Sequence, residues 1–543
     1  MRRPWRIAAA ALFLAAVLLS GLLGDRVLAV TDRAKETLRQ FTELVETAHE
    51  GYGDEISYRD LVNASIEGMI RTLDPHTAFL TELDYQSMRD KQESSFSGLG
   101  ILVGLRDGAL TVITPLEGTP ASRKGIRAGD VISTIEGEPT ETMGVDEAVR
   151  RLKGPRGTSV TIEIARRGMR DLLEVEIVRD EIPQNSVRYA YMLDDEVGYL
   201  SLTDFNRGTA REMESVIDRL RAQGMERLLL DLRSNGGGLL DQAIAVANLF
   251  VPAGGKIVET RGRTRESFQD FHASDAGPIY HDPIVVLVGG GTASAAEILS
   301  GAIQDHDIGL VVGTPTWGKG LVQTVYSLSY GNGLSVTTAK YYTPSGRLIQ
   351  RDYSSWYDYQ YDDRARVEPA REEVEAEAFY TDLGRKVYGG GGITPDVVAE
   401  PDDLAPFVQY LLARSAFFNF AVELNNREAV SDRSWSPQPA LLDEFQGWLL
   451  AQELIAEKDL AEGLAIAENR EMVLRYLRAE VLGAAFGLEA RHRVLVQGDS
   501  QVVAALTQLD EAEALLAERR RVLESRPDPG ADGLGSPTIG SLN

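Results

Sequence analysis

The chain has 543 residues, 43% hydrophobic and 25% charged, which is ordinary for globular protein and long enough for roughly two to four domains. With 56 basic and 82 acidic side chains its formal net charge is −26, which argues against a nucleic-acid partner because phosphate backbones require a basic face. The absence of cysteine excludes disulfides and thiolate chemistry, and the six histidines lack metal-ligand spacing, so neither a metal nor a cofactor is predicted.

Residues 1–30 have the pattern of an export signal. Arg2, Arg3 and Arg6 give a basic start, Ile7–Leu23 is apolar, and Val27–Ala29 supplies small residues suited to cleavage. The apolar stretch is intermediate in length between a signal peptide and an uncleaved membrane anchor, so both alternatives stay open. Either one predicts export to the periplasm or cell envelope, with inner-membrane anchoring if the segment is retained.

Residues 31–95 follow a helical, amphipathic pattern, and residues 96–180 change to short β-rich runs separated by glycine turns. In the first loop of this β-rich part, successive N–H groups of Gly98, Leu99, Gly100 and Ile101 can converge on a carboxylate. An ordinary glycine turn is the simpler interpretation of that loop alone. The order of the segments that follow resembles a PDZ domain: Ala121–Ile126, Gly129–Ile132 and Ile135–Gly137.

Residues 181–400 alternate between apolar runs and helical patterns, as in α/β proteins. Val197–Leu202, Leu228–Leu232 and Ile284–Val288 are predicted strands, and helices are predicted over Ala210–Gln223, Leu240–Phe250 and Ala295–Ile303. An acidic, tyrosine-rich stretch near 351–388 is predicted to be a surface insertion. Residues 401–525 are predicted to be helical and residues 526–543 to form a disordered tail.

Ser294 is predicted on a tight turn between a strand and a helix, and Lys319 follows in a loop. A serine hydroxyl becomes a nucleophile when a base takes its proton, and a neutral lysine is such a base. A free lysine has a pKa of about 10.4, which burial lowers by up to roughly 3–5 units, and Leu310–Val312, Trp317 and Leu321–Val322 are apolar. The alternative interpretation is a helix N-cap serine and an unrelated loop cation.

Two glycine-rich features of this region require interpretation. The turn Arg233–Gly238 ends a predicted strand, so its bare N–H groups are candidates for half of an oxyanion hole, with phosphate binding or close packing as alternatives. Gly313–Lys319 fits the start of a P-loop, but Gly320 replaces the Ser or Thr that would hold magnesium and Pro315 and Trp317 crowd the loop. Nucleotide binding is therefore not predicted there.

The chain resembles the carboxy-terminal processing proteases, also called tail-specific proteases, over roughly residues 35–400. The resemblance is carried by ordered motifs: Leu73–Thr77, the PDZ segments, Asp231–Gly238, Thr292–Glu297, Gly318–Gln323 and Tyr342–Gly346. It implies a helical N-terminal segment, a PDZ domain and an α/β serine-protease core. Together with the helical pattern of residues 401–525, which lie outside the resemblance, this predicts a multidomain α+β fold with a helical C-terminal region.

The same resemblance implies a serine endopeptidase in which Ser294 is the nucleophile, Lys319 the general base and Gln323 the residue that orients the lysine. The oxyanion hole would use the N–H of Ala295 and one from Gly237 or Gly238. Ala296 stands where the family usually has serine, and Gly236 where proline is common. Neither departure removes a reacting group.

For the PDZ domain, the resemblance implies binding of substrate C-terminal tails, with the free carboxylate in the loop Gly98–Ile101. An adaptor protein, a homo-oligomer formed through residues 401–525 and a membrane anchor are further expectations. Two other functions stay open: an exported binding scaffold that does not cleave, and a Ser–His hydrolase that uses His281 or His306. On a straight helix His306 would be roughly 18 Å from Ser294 along the axis.

Overall fold

The computed structural model describes residues 34–354, 359, 378–428 and 430–525. The predicted signal peptide or anchor at 1–30 and the predicted tail at 526–543 lie outside these residues, as does most of the predicted insertion at 351–388. Among the residues described, no helix is both long and apolar enough to cross a membrane. The chain divides into two compact units, residues 1–82 with 323–337 and residues 83–322 with 338–543.

The first unit joins the N-terminal helices to a distant segment of the chain. It contains helix α1 (34–51), helix α2 (Tyr58–Ile70) and strand β1 (Ala78–Leu80). Ser57 begins α2 as its N-cap, because its hydroxyl accepts the N–H of Asp60 at 3.1 Å. Strand β1 pairs antiparallel with residues 333–335, and Ala78 lies opposite Ser335.

The second unit begins at Leu83, the second residue of helix α3 (Glu82–Gln92). It continues with the β-rich module, whose sheet has the strand order β3-β4-β5-β7-β8 with β6 on β5. Its apolar core includes Leu110, Val112, Ile132, Val160 and Ile162. Strand β2 pairs with β9 outside that sheet. The elements are β2 (Ser95–Gly98), β3 (Ile101–Arg106), β4 (Ala109–Pro115), α4 (Pro120–Arg123), β5 (Val131–Ile135), β6 (Glu138–Pro139), α5 (Val145–Leu152), β7 (Ser159–Ala165), β8 (Leu173–Val178) and β9 (Asp180–Pro183).

A six-stranded sheet follows, in the order β10-β11-β12-β15-β16-β21, in which every pair is parallel except β10 with β11. Its elements and those that follow along the chain are β10 (Val187–Met192), β11 (Val197–Leu202), α6 (Thr209–Ala222), β12 (Arg227–Asp231), α7 (Leu240–Ala247), β13 (Lys256–Gly262), β14 (Gln269–His272), β15 (Ile284–Val288), α8 (Ala295–Asp305), β16 (Leu310–Gly313), β17 (Leu321–Ser327), β18 (Gly333–Tyr342), β19 (Ala378–Tyr380), β20 (Lys386–Tyr388) and β21 (Val397–Val398). Residues 339–342 of β18 pair antiparallel with β13.

Both faces of the six-stranded sheet are covered, which explains why its strands are continuous apolar runs. Along β15, Ile284 and Val286 pack in the cluster that contains α6, α7 and α8. Val285 and Leu287 point to the other face, where they pack with Val502 and other residues of the C-terminal helices. The sheet is therefore the middle layer of three.

The C-terminal region is helical, as predicted. Its helices are α9 (Pro406–Ala413), α10 (Ala416–Arg427), α11 (Pro439–Ala451), α12 (Glu457–Ala465), α13 (Ala467–Phe486), α14 (Leu488–Gln497), α15 (Ser500–Leu506) and α16 (Leu509–Ser525). Helices α9–α13 share a core that includes Phe417, Phe445 and Leu477. Helices α15 and α16 pack on the sheet through Val502, Ala505 and Ala512. The mixed helix and sheet architecture predicted from the sequence is confirmed.

Candidate active site

Ser294 lies on a strained turn between β15 and α8. It is the N-cap of α8 and has φ 56° and ψ −116°, a conformation that costs a non-glycine residue about 1–3 kcal/mol. Its backbone N–H donates to Glu297 Oε2 at 2.7 Å. The side chain is half-buried. A helix N-terminus also directs backbone N–H groups towards an adjacent negative charge.

Glu297 connects the Ser294 turn to the loop that carries Lys319. Its Oε2 also accepts the backbone N–H of Lys319 at 2.9 Å, and its Oε1 accepts Gly318 N–H at 2.7 Å and the Thr316 hydroxyl at 2.5 Å. The carboxylate is fully buried, and burial raises its pKa, an effect that the four donors only partly offset. No role is predicted for Glu297 from the sequence, although Ser294 followed by glutamate three residues later is the pattern of a capping box.

Tyr341 connects the same two segments from the other side. Its hydroxyl lies 2.6 Å from the carbonyl oxygen of Lys319 and 3.0 Å from that of Ser294. The ring is buried, and burial raises the pKa of the phenol well above its usual value, so it stays a neutral donor. The sequence prediction missed Tyr341 because its partners are distant in the chain.

The turn after β12 meets Ser294 directly. A Cβ atom added at Gly237 would lie 2.8 Å from Ser294 Cβ and 3.0 Å from the Ala295 nitrogen, so only glycine fits. Gly237 also has φ 99°, which other residues rarely adopt. Asn235 stabilises the turn, since its Oδ1 accepts Gly237 N–H at 2.9 Å and its Nδ2 donates to Leu202 O at 2.9 Å.

Some N–H groups of this turn and of the start of α8 already have acceptors, and others do not. The N–H of Gly237 donates to Asn235 Oδ1. Within the described part of the chain, the N–H groups of Gly238 and Ala295 donate no hydrogen bond to another residue. Gly238 is exposed and Ala295 is buried. These two N–H groups therefore have no protein acceptor among the described residues.

Lys319 is half-buried. Its loop is held by hydrogen bonds from its backbone N–H groups to acceptors elsewhere in the chain. Trp317 N–H donates to Thr292 O at 2.9 Å, and Gly320 N–H donates to Gln350 Oε1 at 2.8 Å. With Gly318 and Lys319 bound to Glu297, the N–H groups that a P-loop would offer to phosphate are occupied by protein acceptors.

Gln323 belongs to the first compact unit. Its Nε2 donates to the carbonyl oxygen of His76, in the predicted motif Leu73–Thr77. Asp74 holds that motif, since it accepts the N–H of His76 at 2.8 Å and the N–H and hydroxyl of Thr77 at 2.9 and 2.7 Å. Burial raises the pKa of Asp74, but these hydrogen bonds outweigh it and the pKa is lowered.

The two histidines considered as alternative bases lie at the wrong ends of their elements. His306 caps the C-terminal end of α8, whereas Ser294 caps its N-terminal end. Its Nδ1 lies 2.9 Å from Asp382 Oδ2, and its Nε2 lies 2.6 Å from Lys256 O. His281 precedes the first residue of β15, whereas Ser294 follows the last. Neither arrangement provides a base for Ser294.

The glycine loop of the β-rich module leaves N–H groups unused. The carbonyls of Leu99 and Gly100 accept the N–H groups of Ala121 and Leu116 at 3.0 and 2.8 Å, while in the described structure the N–H groups of Leu99 and Gly100 donate to no protein acceptor. Gly100 has φ 75°, and a Cβ atom there would lie 2.3 Å from Thr119 Cβ. The loop has the form of an anion nest. No cluster of potential metal ligands occurs in the described part of the chain.

Comparisons with known proteins agree with these features. Residues 196–354 match the model of peptidase family S41, and residues 111–166 match that of the PDZ domain. A carboxy-terminal-processing protease of Bartonella bacilliformis is 37% identical, over 62% of this chain and 79% of its own length. Carboxy-terminal processing protease CtpA of Bacillus subtilis is 33% identical, over 61% of this chain and 70% of its own. A solved photosystem II D1 C-terminal processing protease is 27% identical, covers 66% of this chain and 92% of that one, and has a TM-score of 0.33.

Proposed function

Because the chain belongs to the carboxy-terminal processing protease family, whose members are serine-type peptidases, we propose that it cleaves peptide bonds with a Ser294–Lys319 dyad. The observation that carries the proposal is the shared carboxylate of Glu297, which holds the backbones of both residues. Ser294 Oγ attacks the substrate carbonyl as its proton passes to the neutral Lys319 amine. The resulting ammonium then protonates the leaving amine, and water hydrolyses the acyl-enzyme with Lys319 again as base.

The oxyanion of the tetrahedral intermediate is assigned to the N–H groups of Ala295 and Gly238. Gly237 is the weaker candidate because its N–H already has an acceptor in Asn235. Removing one such donor costs about 10²–10³ in rate. Gln323 is assigned the orientation of the Lys319 side chain, which follows from the family resemblance alone.

The dyad is tested by peptide cleavage assays on the purified full chain. We expect Ser294→Ala and Lys319→Ala to abolish cleavage while the circular dichroism spectrum is retained. Ser300→Ala on the same helix and Lys340→Ala at an exposed site of β18 are matched controls that should stay active. Normal turnover by Lys319→Ala would refute the dyad. A serine-reactive probe that labels wild type but not Ser294→Ala would exclude a scaffold that does not cleave.

The PDZ domain, residues 96–180, is assigned the recognition of substrate C-terminal tails. The free carboxylate is placed in the loop Gly98–Ile101, whose unused N–H groups support this assignment. Deletion of 96–180 should remove the preference for peptides with a free C-terminal carboxylate over their amides. Unchanged activity and preference would contradict this role.

We further propose export of the protein to the periplasm or cell envelope through residues 1–30, with cleavage of that segment or retention as an inner-membrane anchor. Cell fractionation followed by N-terminal sequencing distinguishes the alternatives, and recovery of the intact N-terminus in the cytoplasm would contradict export. An adaptor protein is a further proposed partner, and the helical pattern of residues 401–525 is the ground for proposing a homo-oligomer formed through that region. Light scattering of the purified chain tests the oligomer.

A further inference from the structure

Arg233 connects the turn beside Ser294 to the C-terminal helical region. Its Nη2 donates to Asp231 Oδ2 at 2.7 Å, and its Nη1 donates to Asp499 Oδ2 at 2.7 Å and to Gln501 Oε1 at 2.9 Å. The Arg233 side chain is only 19% exposed. Two carboxylates and one amide thus fix a largely buried cation that lies five positions before Gly238.

The backbone of this turn is attached to the turn that precedes Ser294. Thr292 donates its hydroxyl to Leu232 O at 2.7 Å, and Ala293 N–H donates to Asn235 O at 2.9 Å. A Cβ atom at Gly291 would lie 2.6 Å from the carbonyl oxygen of Arg233. A displacement of Arg233 would therefore be passed to both turns, since packed backbone segments move together.

Asp499 and Gln501 are themselves well fixed. Asp499 is the N-cap of α15, and its Oδ1 accepts the N–H groups of Gln501 and Val502 at 3.0 and 3.1 Å. Gln501 Nε2 donates to Ala399 O at 2.7 Å, immediately after β21. Val502 is buried against the sheet. The acceptors of Arg233 thus belong to the capped start of a helix that packs on the sheet.

A cavity of about 250 Å³ lies beside these groups, lined by Arg233, Asp499 and Gln501 together with Met472, Arg475 and Tyr476. If its acceptors at 499 and 501 were removed, the guanidinium would have room to turn towards solvent. Arg233 would then be held only by the buried Asp231, through Nε and Nη2, and the turn would lose its connection to α15.

We propose that Asp499 and Gln501 are positioning residues for the oxyanion turn and act on Gly238 through Arg233. The proposal rests on the proposed function, because it assigns the turn to the transition state. Both residues lie beyond residues 196–354 and 111–166, which the family models match. Since the oxyanion forms only during the reaction, the loss of Asp499 or Gln501 should lower kcat and should hardly change KM.

The first test separates positioning from helix capping. Serine is a good N-cap but is too short to replace the bond to Arg233, so Asp499→Ser keeps α15 and loses the contact. We expect kcat to fall about 10–100-fold, less than the loss of an oxyanion donor, with KM within about twofold.

Asp510→Ser is the matched control, because Asp510 pairs with Arg227 at 2.8 Å, at the opposite end of the same strand β12. It should leave kcat unchanged. Equal losses in Asp510→Ser and Asp499→Ser would show that general docking of the C-terminal region matters, and would overturn the proposal, as would a normal kcat or a change in KM alone. If Asp499→Ser fails to fold, Gln501→Met tests the same proposal, and we expect a smaller fall in kcat.

A peptide boronate, which mimics the tetrahedral intermediate, provides a second readout. Its affinity should fall in Asp499→Ser in parallel with kcat, while the affinity of a product peptide stays constant; equal losses for both ligands would overturn the proposal. Wild-type cleavage that persists in Ser294→Ala would instead refute the proposed function. The two failures are therefore distinguishable.

Discussion

The backbone N–H groups of Ser294 and Lys319 donate to the same oxygen atom, Oε2 of Glu297, at 2.7 and 2.9 Å. A single buried carboxylate thus sets the separation of the two backbone segments that carry the proposed nucleophile and base. Tyr341 lies within hydrogen-bond distance of the carbonyl groups of the same two residues. The two backbone segments are therefore held together by main-chain groups that bind one carboxylate and one phenol hydroxyl.

Glu297→Gln is expected to reduce cleavage about 100-fold, because a small misplacement of reacting groups costs that much. Each carboxylate oxygen of Glu297 accepts two hydrogen bonds. Glutamine replaces one of these oxygens with an NH₂ group, which is itself a donor, so the two donors on that side lose their acceptor. The free energy of unfolding should fall by about 1–3 kcal/mol for each buried donor left without one. Cleavage assays and urea denaturation measure both effects. Glu214→Gln, at an exposed position of α6, is the control, and wild-type kinetics in Glu297→Gln would contradict the positioning role.

Gly237→Ala is expected to lose most activity and about 1–3 kcal/mol of stability. Its φ is 99°, and the added methyl group would overlap Ser294 Cβ. Gly236→Ala is the neighbouring control, since a Cβ atom there meets nothing within 4 Å and its φ is not positive. Thermal denaturation and peptide cleavage should separate the two variants clearly. Equal behaviour would mean that the turn does not contact the Ser294 segment as described.

Gly100→Ala is expected to weaken binding of peptides to the PDZ domain at least tenfold. The residue has φ 75° and its added Cβ would overlap Thr119, so the loop Gly98–Ile101 must change shape. Fluorescence anisotropy with a labelled peptide that has a free C-terminus measures the affinity. Gly108→Ala, at another positive φ but with open space around its Cβ, controls for backbone strain alone. Loss of affinity in both variants would remove the link to the loop.

The stability of the chain is expected to fall in mild acid because of His492. Burial, with help from nearby Arg233 and Arg491, lowers the pKa of this imidazole to about 4, where it stacks on Tyr189 at 3.9 Å. In the unfolded chain His492 takes up a proton near pH 6.5, whereas in the folded chain it does so only near pH 4. The contribution of His492 to the free energy of unfolding is therefore complete above pH 6.5 and is lost as the pH falls towards 4.

Between pH 7 and 5 the loss from His492 should be about 2 kcal/mol. His492→Gln retains a polar partner for Tyr191, which lies 3.0 Å from Nδ1, but cannot take up a proton. Urea denaturation of both proteins at the two pH values gives the difference. Parallel pH dependence in wild type and variant would contradict the low pKa.

Local elements could be predicted from the sequence because each depends on a short pattern. The strand predicted at Ile284–Val288 has those bounds, and the helix predicted from Ala295 begins there and extends two residues past Ile303. The helix predicted to end at Phe250 stops at Ala247. A short, continuous apolar run is sufficient to predict the strand, and a serine before a helical pattern is sufficient to predict where the helix begins.

Contacts between residues that are distant in the sequence could not be predicted in this way. The partners of Glu297 at Gly318 and Lys319, the bond of Gln323 to His76 and the ion pair of Arg233 with Asp499 all join distant positions. The sequence indicates that residues 401–525 are helical, but it does not indicate that α15 and α16 cover one face of the sheet. Which surface receives an apolar helix face depends on the tertiary fold.

The pairing of Ala78 with Ser335 has a consequence for biogenesis. A ribosome that has finished strand β1 must add the whole PDZ domain and most of the protease core before the complementary strand emerges. Such distant pairings form late, because the chain must lose the entropy of closing a long loop before the strand contacts that offset this loss can form. The N-terminal unit therefore matures only after the domains that follow it, and during that interval β1 remains an unpaired edge that a chaperone would have to shield.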